Sequence, residues 1–356
     1  MPQSAALAQH MPVSERVCVV PPSTLTPDTV AADPFGEQRA RRFSVRRQIL
    51  GALFHFHSDS EALLALVDAA YAGLPAHCLP VAPHFHLTLD LVPRAPGAVI
   101  DVPPPVRTHA VGGLVCGVMD ACNHLMLSVH ERRAMLVVSE DMLAHAYHVR
   151  YELIEFAVFL LAARGIGLVP LHGACVGRQG RCVLLLGASG AGKSTLALHS
   201  LLHGLEFIAE DGVFVAPDSL LTTGVANFLH LRPESLGLLD AQTRAWISAS
   251  PTIYRRSGVE KYEVDLRHGH ATLAPTPLQL SAVLMLSSQP ADASAPSLVP
   301  VPGAQIAEYL ARDQPYAAGQ PGWQRFVAQV QRVGMFTLGR GAHPHASLEA
   351  VLQVLR

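Results

Sequence analysis

Apolar positions fall into short runs of two different periods, and the changes of period mark how the chain is organised. Residues 49–57 read as a strand. Ser58-Asp59-Ser60-Glu61 has the form of a helix capping box, and Leu63, Leu64, Val67 and Tyr71 then recur at helical spacing until Gly73-Leu74-Pro75 stops them. Residues 84–92 alternate strictly, with Phe85, Leu87, Leu89 and Leu91 on one face. Residues 108–119, 124–129 and 134–138 read as further strands, and 93–105 as a loop. The stretch 139–164 is one long helical pattern, broken by Gly165-Ile166-Gly167. Residues 168–176 read as a strand, and 177–180 as a turn. The apolar run 181–186 reads as a buried strand, followed by a helix over 194–203 that Gly204 ends. Strands at 206–209 and 212–215 flank Glu210-Asp211. A buried strand at 282–286, a loop over 287–303, amphipathic stretches near 303–312 and 321–333 and a helix over 347–355 complete the pattern. Residues 1–45 hold no sustained period. The predicted organisation is a flexible leader over 1–47, a small α+β domain over 48–138 and an α/β domain over 139–356.

Between the strand 181–186 and the helix after it lie Gly187, Ala188, Ser189, Gly190, Ala191, Gly192, Lys193, Ser194 and Thr195. This is G-x-x-x-x-G-K-S, the phosphate-binding P-loop, in the strand–loop–helix context the motif needs. Its glycines let backbone N–H groups turn inward toward a phosphate, and the helix dipole adds a favourable field. Lys193 is placed to reach the β- and γ-phosphates, and the Ser194 hydroxyl to ligate Mg²⁺. ATP and Mg²⁺ are therefore the expected cofactors. Glu210 and Asp211 follow Ser194 closely, at the end of what must be the next strand. No Asn-Lys-x-Asp and no Leu-Ser-Gly-Gly-Gln occurs, which argues against a GTPase and an ABC-type ATPase.

Composition sharpens the site. The chain has 26 Lys+Arg, yet only Lys193 and Lys261 are lysines. A planar guanidinium cannot replace a compact ammonium inside a P-loop, so Lys193 stands out against an arginine bias and Lys261 becomes a candidate beside it. Half of the 356 residues are hydrophobic, enough for a substantial core. The net charge of −2 gives no global basic field for nucleic acid or anionic membrane, and no apolar run reaches the roughly 18 residues of a membrane helix. The six cysteines lack C-x-x-C spacing and read as reduced, mostly buried thiols of a cytoplasmic protein. His55-Phe56-His57 and His84-Phe85-His86 alternate so that the histidines share one face. They are read as a solvated face, because no third ligand at zinc spacing completes a set. Arg39, Arg41, Arg42, Arg46 and Arg47 are read as a solvated loop.

The compact spacing of P-loop and acid pair resembles the HPr kinase/phosphorylase family, which shares a core with the phosphoenolpyruvate carboxykinases. Leu171-His172-Gly173, the loop 187–195 and Gly204-Leu205-Glu206-Phe207-Ile208-Ala209-Glu210-Asp211 carry the resemblance. Residues 231–236, Lys261 and Pro277-Leu278 add to it. It covers roughly the second half of the chain. Ala70-Tyr71-Ala72-Gly73-Leu74-Pro75, within 54–75, looks like the N-terminal part of kinase-like relatives of that family. The resemblance implies a P-loop, PEP-carboxykinase-like kinase core, a mixed sheet with flanking helices, beside the smaller N-terminal domain. It implies that Asp211 is the general base, that Glu210 and Ser194 hold Mg²⁺, and that His172 orients the acid pair. Arg232 and Lys261 would contact phosphate or substrate.

Three departures narrow the expectation. The family usually has two aspartates where this chain has Glu210-Asp211, often an acid at Ala188, and a metal-binding glutamate where Arg232 stands. The last of these argues against HPr as the acceptor. The first expectation is an ATP- and Mg²⁺-dependent kinase acting on a serine of a peptide or small protein, with a homo-oligomer allowed. A kinase of small hydroxylated metabolites and a nucleotide-binding regulatory protein without phosphotransfer are the alternatives.

Overall fold

The first apolar run is two strands rather than one. Leu50 and Gly51, both at positive φ, turn the chain between Phe43–Ile49 (β1) and Ala52–Ser58 (β2). A computed structural model describes residues 40–94, 102–268, 271–290, 298–341 and 343–356. Of these, Arg41–Arg356 pack as one compact unit. Residues 1–39 of the expected leader, and parts of the expected loops 93–105 and 287–303, lie outside the described residues.

A helix over Glu61–Tyr71 follows β2. Ser60 caps it, accepting from Leu63 N, and it buries Leu63, Leu64, Val67, Ala70 and Tyr71. Then come His84–Val92 (β3), Arg107–Val111 (β4), Leu114–Val118 (β5), His124–Ser128 (β6) and Arg133–Ser139 (β7). The expected strand 108–119 is thus a hairpin, turned at Gly112 and Gly113, both at positive φ. These seven strands form one sheet, ordered β1-β2-β3-β7-β6-β5-β4, with β2, β3 and β7 parallel. The alternation reads out directly. Phe54, Phe56, Phe85, Leu87 and Leu89 are fully buried on the inner face.

The histidines lie on the opposite face, as read, with His84 and His86 exposed and His55 and His57 half-buried, and they stack on one another. The ring of His55 lies 4.7 Å from that of His86 and 5.2 Å from that of His84. Burial, His86 and Arg46 push His55 down to about 4. Of the arginines read as a solvated loop, Arg39 lies outside the described residues, Arg42 and Arg46 are exposed, and Arg46 and Arg47 stand on β1. Arg41 and Arg47 tie elements together. Arg41 pairs with Asp59 and Asp90, and Arg47 with Asp68.

Residues 140–167 are helical throughout but not uniformly wound. Glu140–His145 is a tight 3₁₀ segment, while Val149–Glu155 and Ala163–Gly167 are wide π-type turns around the α-helix Phe156–Ala162. This run packs into the core of the first sheet through Val149, Leu153, Ile154, Ala157 and Leu161.

The rest of the chain builds a ten-stranded mixed sheet. Its strands are Val169–Leu171 (β8), Ala174–Arg178 (β9), Arg181–Leu186 (β10), Glu206–Glu210 (β11), Val213–Val215 (β12) and Leu221–Gly224 (β13). Phe228–Leu231 (β14), Thr252–Tyr254 (β15) and Glu260–Asp265 (β16) form a separate three-stranded sheet. Thr272–Leu273 (β17), Leu278–Pro290 (β18), Leu298–Pro300 (β19) and Met335–Arg340 (β20) complete the large one. Central β10 runs parallel to β18 and antiparallel to β9, and β11 lies beyond β9. The expected strand 168–176 is interrupted at His172-Gly173, which separates β8 from β9. Helices Lys193–Leu202 and Pro344–Val354 pack in the core on one side of this sheet, and Gly303–Asp313 and Trp323–Val333 in the core on the other.

The fold is therefore mixed α/β. Among the described residues no helix is long and apolar enough to cross a membrane. Cys175 and Cys182 are buried thiols, while Cys116 and Cys122 are partly exposed ones.

Candidate functional site

Gly187 leaves β10 at φ 132°, and Gly190 and Gly192 follow at 85° and 100°. These left-handed values cost an L-residue strain that glycine avoids. At Gly187 space is limiting as well, since a Cβ there would stand 2.7 Å from the Leu286 carbonyl oxygen of β18. The loop curls over the start of the helix Lys193–Leu202. Lys193 is only 9% exposed, and its Nζ donates to the carbonyls of Gly187 at 2.6 Å and Ala188 at 3.3 Å. Burial lowers the pKa of its ammonium, against the pull of Asp313, Asp211 and Glu210. Arg232 leans over the loop, 3.4 Å from Ser189 Oγ.

Ser194, the first hydroxyl after Lys193, donates to Glu210 Oε1 at 2.5 Å. Thus the P-loop and the end of β11 meet directly. Consecutive residues of a strand point to opposite faces, yet Glu210 and Asp211 serve one site. The backbone shows how. Asp211 takes φ 67°, and Gly212 N donates back to the Glu210 carbonyl at 2.9 Å, so the chain kinks at the strand end and swings both carboxylates to the same side. Aspartate tolerates the left-handed region better than most residues, and such strain concentrates at functional sites.

The acid pair is held by a network that sequence reasoning did not find. His230 on β14 pairs in register with Glu263 on β16. Its Nδ1 lies 3.0 Å from Glu210 Oε2, and its Nε2 lies 2.9 Å from the Tyr151 hydroxyl, which donates to Glu263. Arg150 closes the chain with a short charged contact to Glu263. Burial alone would favour neutral His230, but the hydrogen bonds to Glu210 and Glu263 prevail and raise its pKa. Burial likewise pushes Glu263 up, while its bonds to His230 and Arg150 bring it down to about 2.

Asp211 is more open, at 30% side-chain exposure, and pairs with Arg255. Burial raises its carboxyl, but Arg255, Lys261, His230 and His172 outweigh it and hold it at about 2. Glu155 behaves in the opposite way. Burial drives it up to about 8, and its Oε1 has no hydrogen-bond partner among the described residues.

Of the residues read from sequence, Lys193, Ser194, Thr195, Glu210, Asp211, His172, Arg232 and Lys261 all line one cavity of about 1400 Å³ with the loop residues Ser189 to Gly192. Gly187 and Ala188 are not in the lining; their carbonyls hold Lys193. Lys261 shares the face of β16 that carries Glu263. His172 is 61% exposed and stands 3.9 Å from Asp211. Gln314 fixes its backbone at both N–H and C=O. The closer orienting partner of the acid pair is His230. Its one sequence signal is its place immediately before the resembling stretch 231–236.

Among the described residues, Glu210, Asp211 and His230 are the group whose ligand atoms converge, all within 4.8 Å. With Ser194 Oγ bonded to Glu210, the hard oxygen donors suit Mg²⁺. The Nδ1 of His230 is already engaged by Glu210, so this histidine fits as a positioner of the carboxylate. Compared with known proteins, the chain matches no family model and no curated protein.

Proposed function

We propose that the chain is an ATP- and Mg²⁺-dependent phosphotransferase of the HPr-kinase-like group, built on a PEP-carboxykinase-like core. It transfers the γ-phosphoryl to a hydroxyl, the acceptor being a serine of a peptide or small protein. One observation carries this reading. Ser194 of the P-loop, the hydroxyl that such loops present to a nucleotide-bound metal, is bonded to Glu210, and Asp211 stands beside it in a cavity large enough for two substrates.

The geometry supports the following roles. Backbone N–H groups of 187–195 and Lys193 bind the β- and γ-phosphates, Lys193 exchanging loop carbonyls for phosphate oxygens. Ser194 and Glu210 would hold Mg²⁺, which would supply charge neutralisation along the phosphate chain. Asp211 orients the acceptor hydroxyl and accepts its proton as the oxygen–phosphorus bond forms and the bond to the β-phosphate oxygen breaks. A carboxylate near pKa 2 is a weak base, but a loose phosphoryl transition state asks mainly for positioning and charge stabilisation. Arg255 and Lys261, both in the cavity lining, bring positive charge to the oxygens of the transferring phosphoryl. Cytoplasmic ATP is the natural donor.

Calorimetric titration tests the premise. MgATP binding is expected in the wild type and is expected to weaken by at least about a hundredfold in Lys193→Ala. Equal affinity in the two proteins would remove the P-loop from the account.

A further inference from the structure

The cavity that holds the acid pair continues past it. Its volume of about 1400 Å³ exceeds the roughly 300–1,000 Å³ typical of one small-ligand site, so a nucleotide leaves room for a second substrate. Beyond Asp211 the walls change character. Tyr147, Phe156, Phe159, Leu160, Ala163 and Phe214 form the apolar part, or lobe, of the cavity lining, with Glu152 and Glu155 of the same helical run also in the lining. Its position relative to the base is fixed by Gly212, the residue after Asp211. A Cβ on Gly212 would stand 3.3 Å from the Phe159 ring and 3.5 Å from that of Phe214. Those two rings meet edge to face, with centroids 5.0 Å apart. Phe156 and Phe159, three residues apart on the helix Phe156–Ala162, share a face and are only half-buried. Apolar carbon therefore lies open beside the group that receives the acceptor hydroxyl.

We propose that this lobe is the acceptor subsite and that it takes a seryl peptide with a bulky apolar residue, aromatic or branched aliphatic, next to the serine. The proposal rests on the phosphotransferase reading above. A serine hydroxyl placed at Asp211 puts the neighbouring side chain against Phe159, Phe156 and Leu160, where burial of apolar surface holds it. A polyhydroxylated metabolite would instead set some of its hydroxyls against the aromatic carbon of Phe156 and Phe159, where they find no hydrogen bonds. The lobe thus selects between the two acceptor classes compatible with the catalytic residues.

The test uses the full chain loaded with Mg²⁺ and a non-hydrolysable ATP analogue, titrated calorimetrically with N-acetyl-phenylalanyl-serine amide and N-acetyl-glycyl-serine amide. The phenylalanyl peptide is expected to bind about tenfold or more tightly. Phe159→Ala, which removes the wall, and Ala163→Leu, which fills the lobe, are each expected to erase most of that preference with nucleotide affinity unchanged. Equal binding of the two peptides, no binding of either, or a preference surviving both variants overturns the proposal. Transfer from γ-labelled ATP to the same peptides is read separately. Selective binding without transfer would leave an apolar peptide site and reject the phosphotransferase reading.

Discussion

Asp211 owes its place to a backbone angle, and the sequence does not reveal such angles. The adjacency of Glu210 and Asp211 just after a P-loop was visible in the sequence. That the two side chains act on one side, through the kink at φ 67°, was not, because an extended strand would have parted them. Lys261 was legible from composition alone. Its face-mate Glu263, and His230 opposite Glu263, were not, because pairing across β14 and β16 depends on a register that neither strand encodes by itself.

Two outcomes belong at the residue scale. Asp211→Asn keeps a residue that accepts positive φ, so the fold persists and phosphotransfer falls about 10²- to 10⁴-fold in a steady-state assay. Glu155→Gln tests the buried acid. The folded pKa, about 8, lies above the unfolded value of about 4.3, so its contribution is present below pH 4.3 and is lost as pH rises through 8. Scanning calorimetry should find the variant equal to wild type near pH 4 and more stable at pH 8. Glu263 has the opposite sign. Its folded pKa of about 2 makes a contribution that is present above the unfolded pKa and lost as pH falls through 2.

At the scale of elements, strand–loop–helix was the most legible part. Residues 181–186 are β10 as read, and the helix after the loop starts one residue earlier than expected. The alternating 84–92 is likewise β3, because one face is buried and the period is unbroken. The run 139–164 was read as one long helix, and a wide turn carries no mark in composition. Yet the wide turn Val149–Glu155 holds Arg150, Tyr151, Glu152 and Glu155, all but Arg150 lining the cavity. Such turns are frequent at functional sites. Gly187→Ala probes the loop. With φ 132° and a Cβ 2.7 Å from the Leu286 oxygen, it should cost about 1–3 kcal/mol and abolish nucleotide binding. Gly180→Ala, at φ 80° with nothing within 4 Å, adds strain without a clash and should leave nucleotide affinity intact. Denaturant titration and nucleotide titration of the two variants make the comparison.

At the scale of the molecule, the abundance of apolar residues announced a large core, but not how the first sheet docks on the second half. Phe214 and Val225 join the core of the first sheet, and beside this apolar contact the docking has a polar, specific part. The last carbonyls of the helix Glu61–Tyr71 lack intrahelical partners. Asn227 Nδ2 donates to the Ala70 carbonyl at 2.6 Å, and Arg267 to that of Ala72 at 2.9 Å. His77 bonds Thr223 and the Ala274 carbonyl. These partners lie 146 to 197 residues apart, beyond the reach of any local pattern. Asn227→Ala leaves a buried carbonyl unpaired and should lower stability by about 1–3 kcal/mol in equilibrium denaturation. The direct measurement for the whole account is phosphoryl transfer itself. Protein, Mg²⁺ and γ-labelled ATP would be added to size-fractionated extract of the host, with Asp211→Asn and Lys193→Ala in parallel. Label entering a peptide or small protein with wild type and with neither variant is the predicted result. Bound ATP with no label in any fraction would contradict the account and leave a nucleotide-binding regulatory protein in its place.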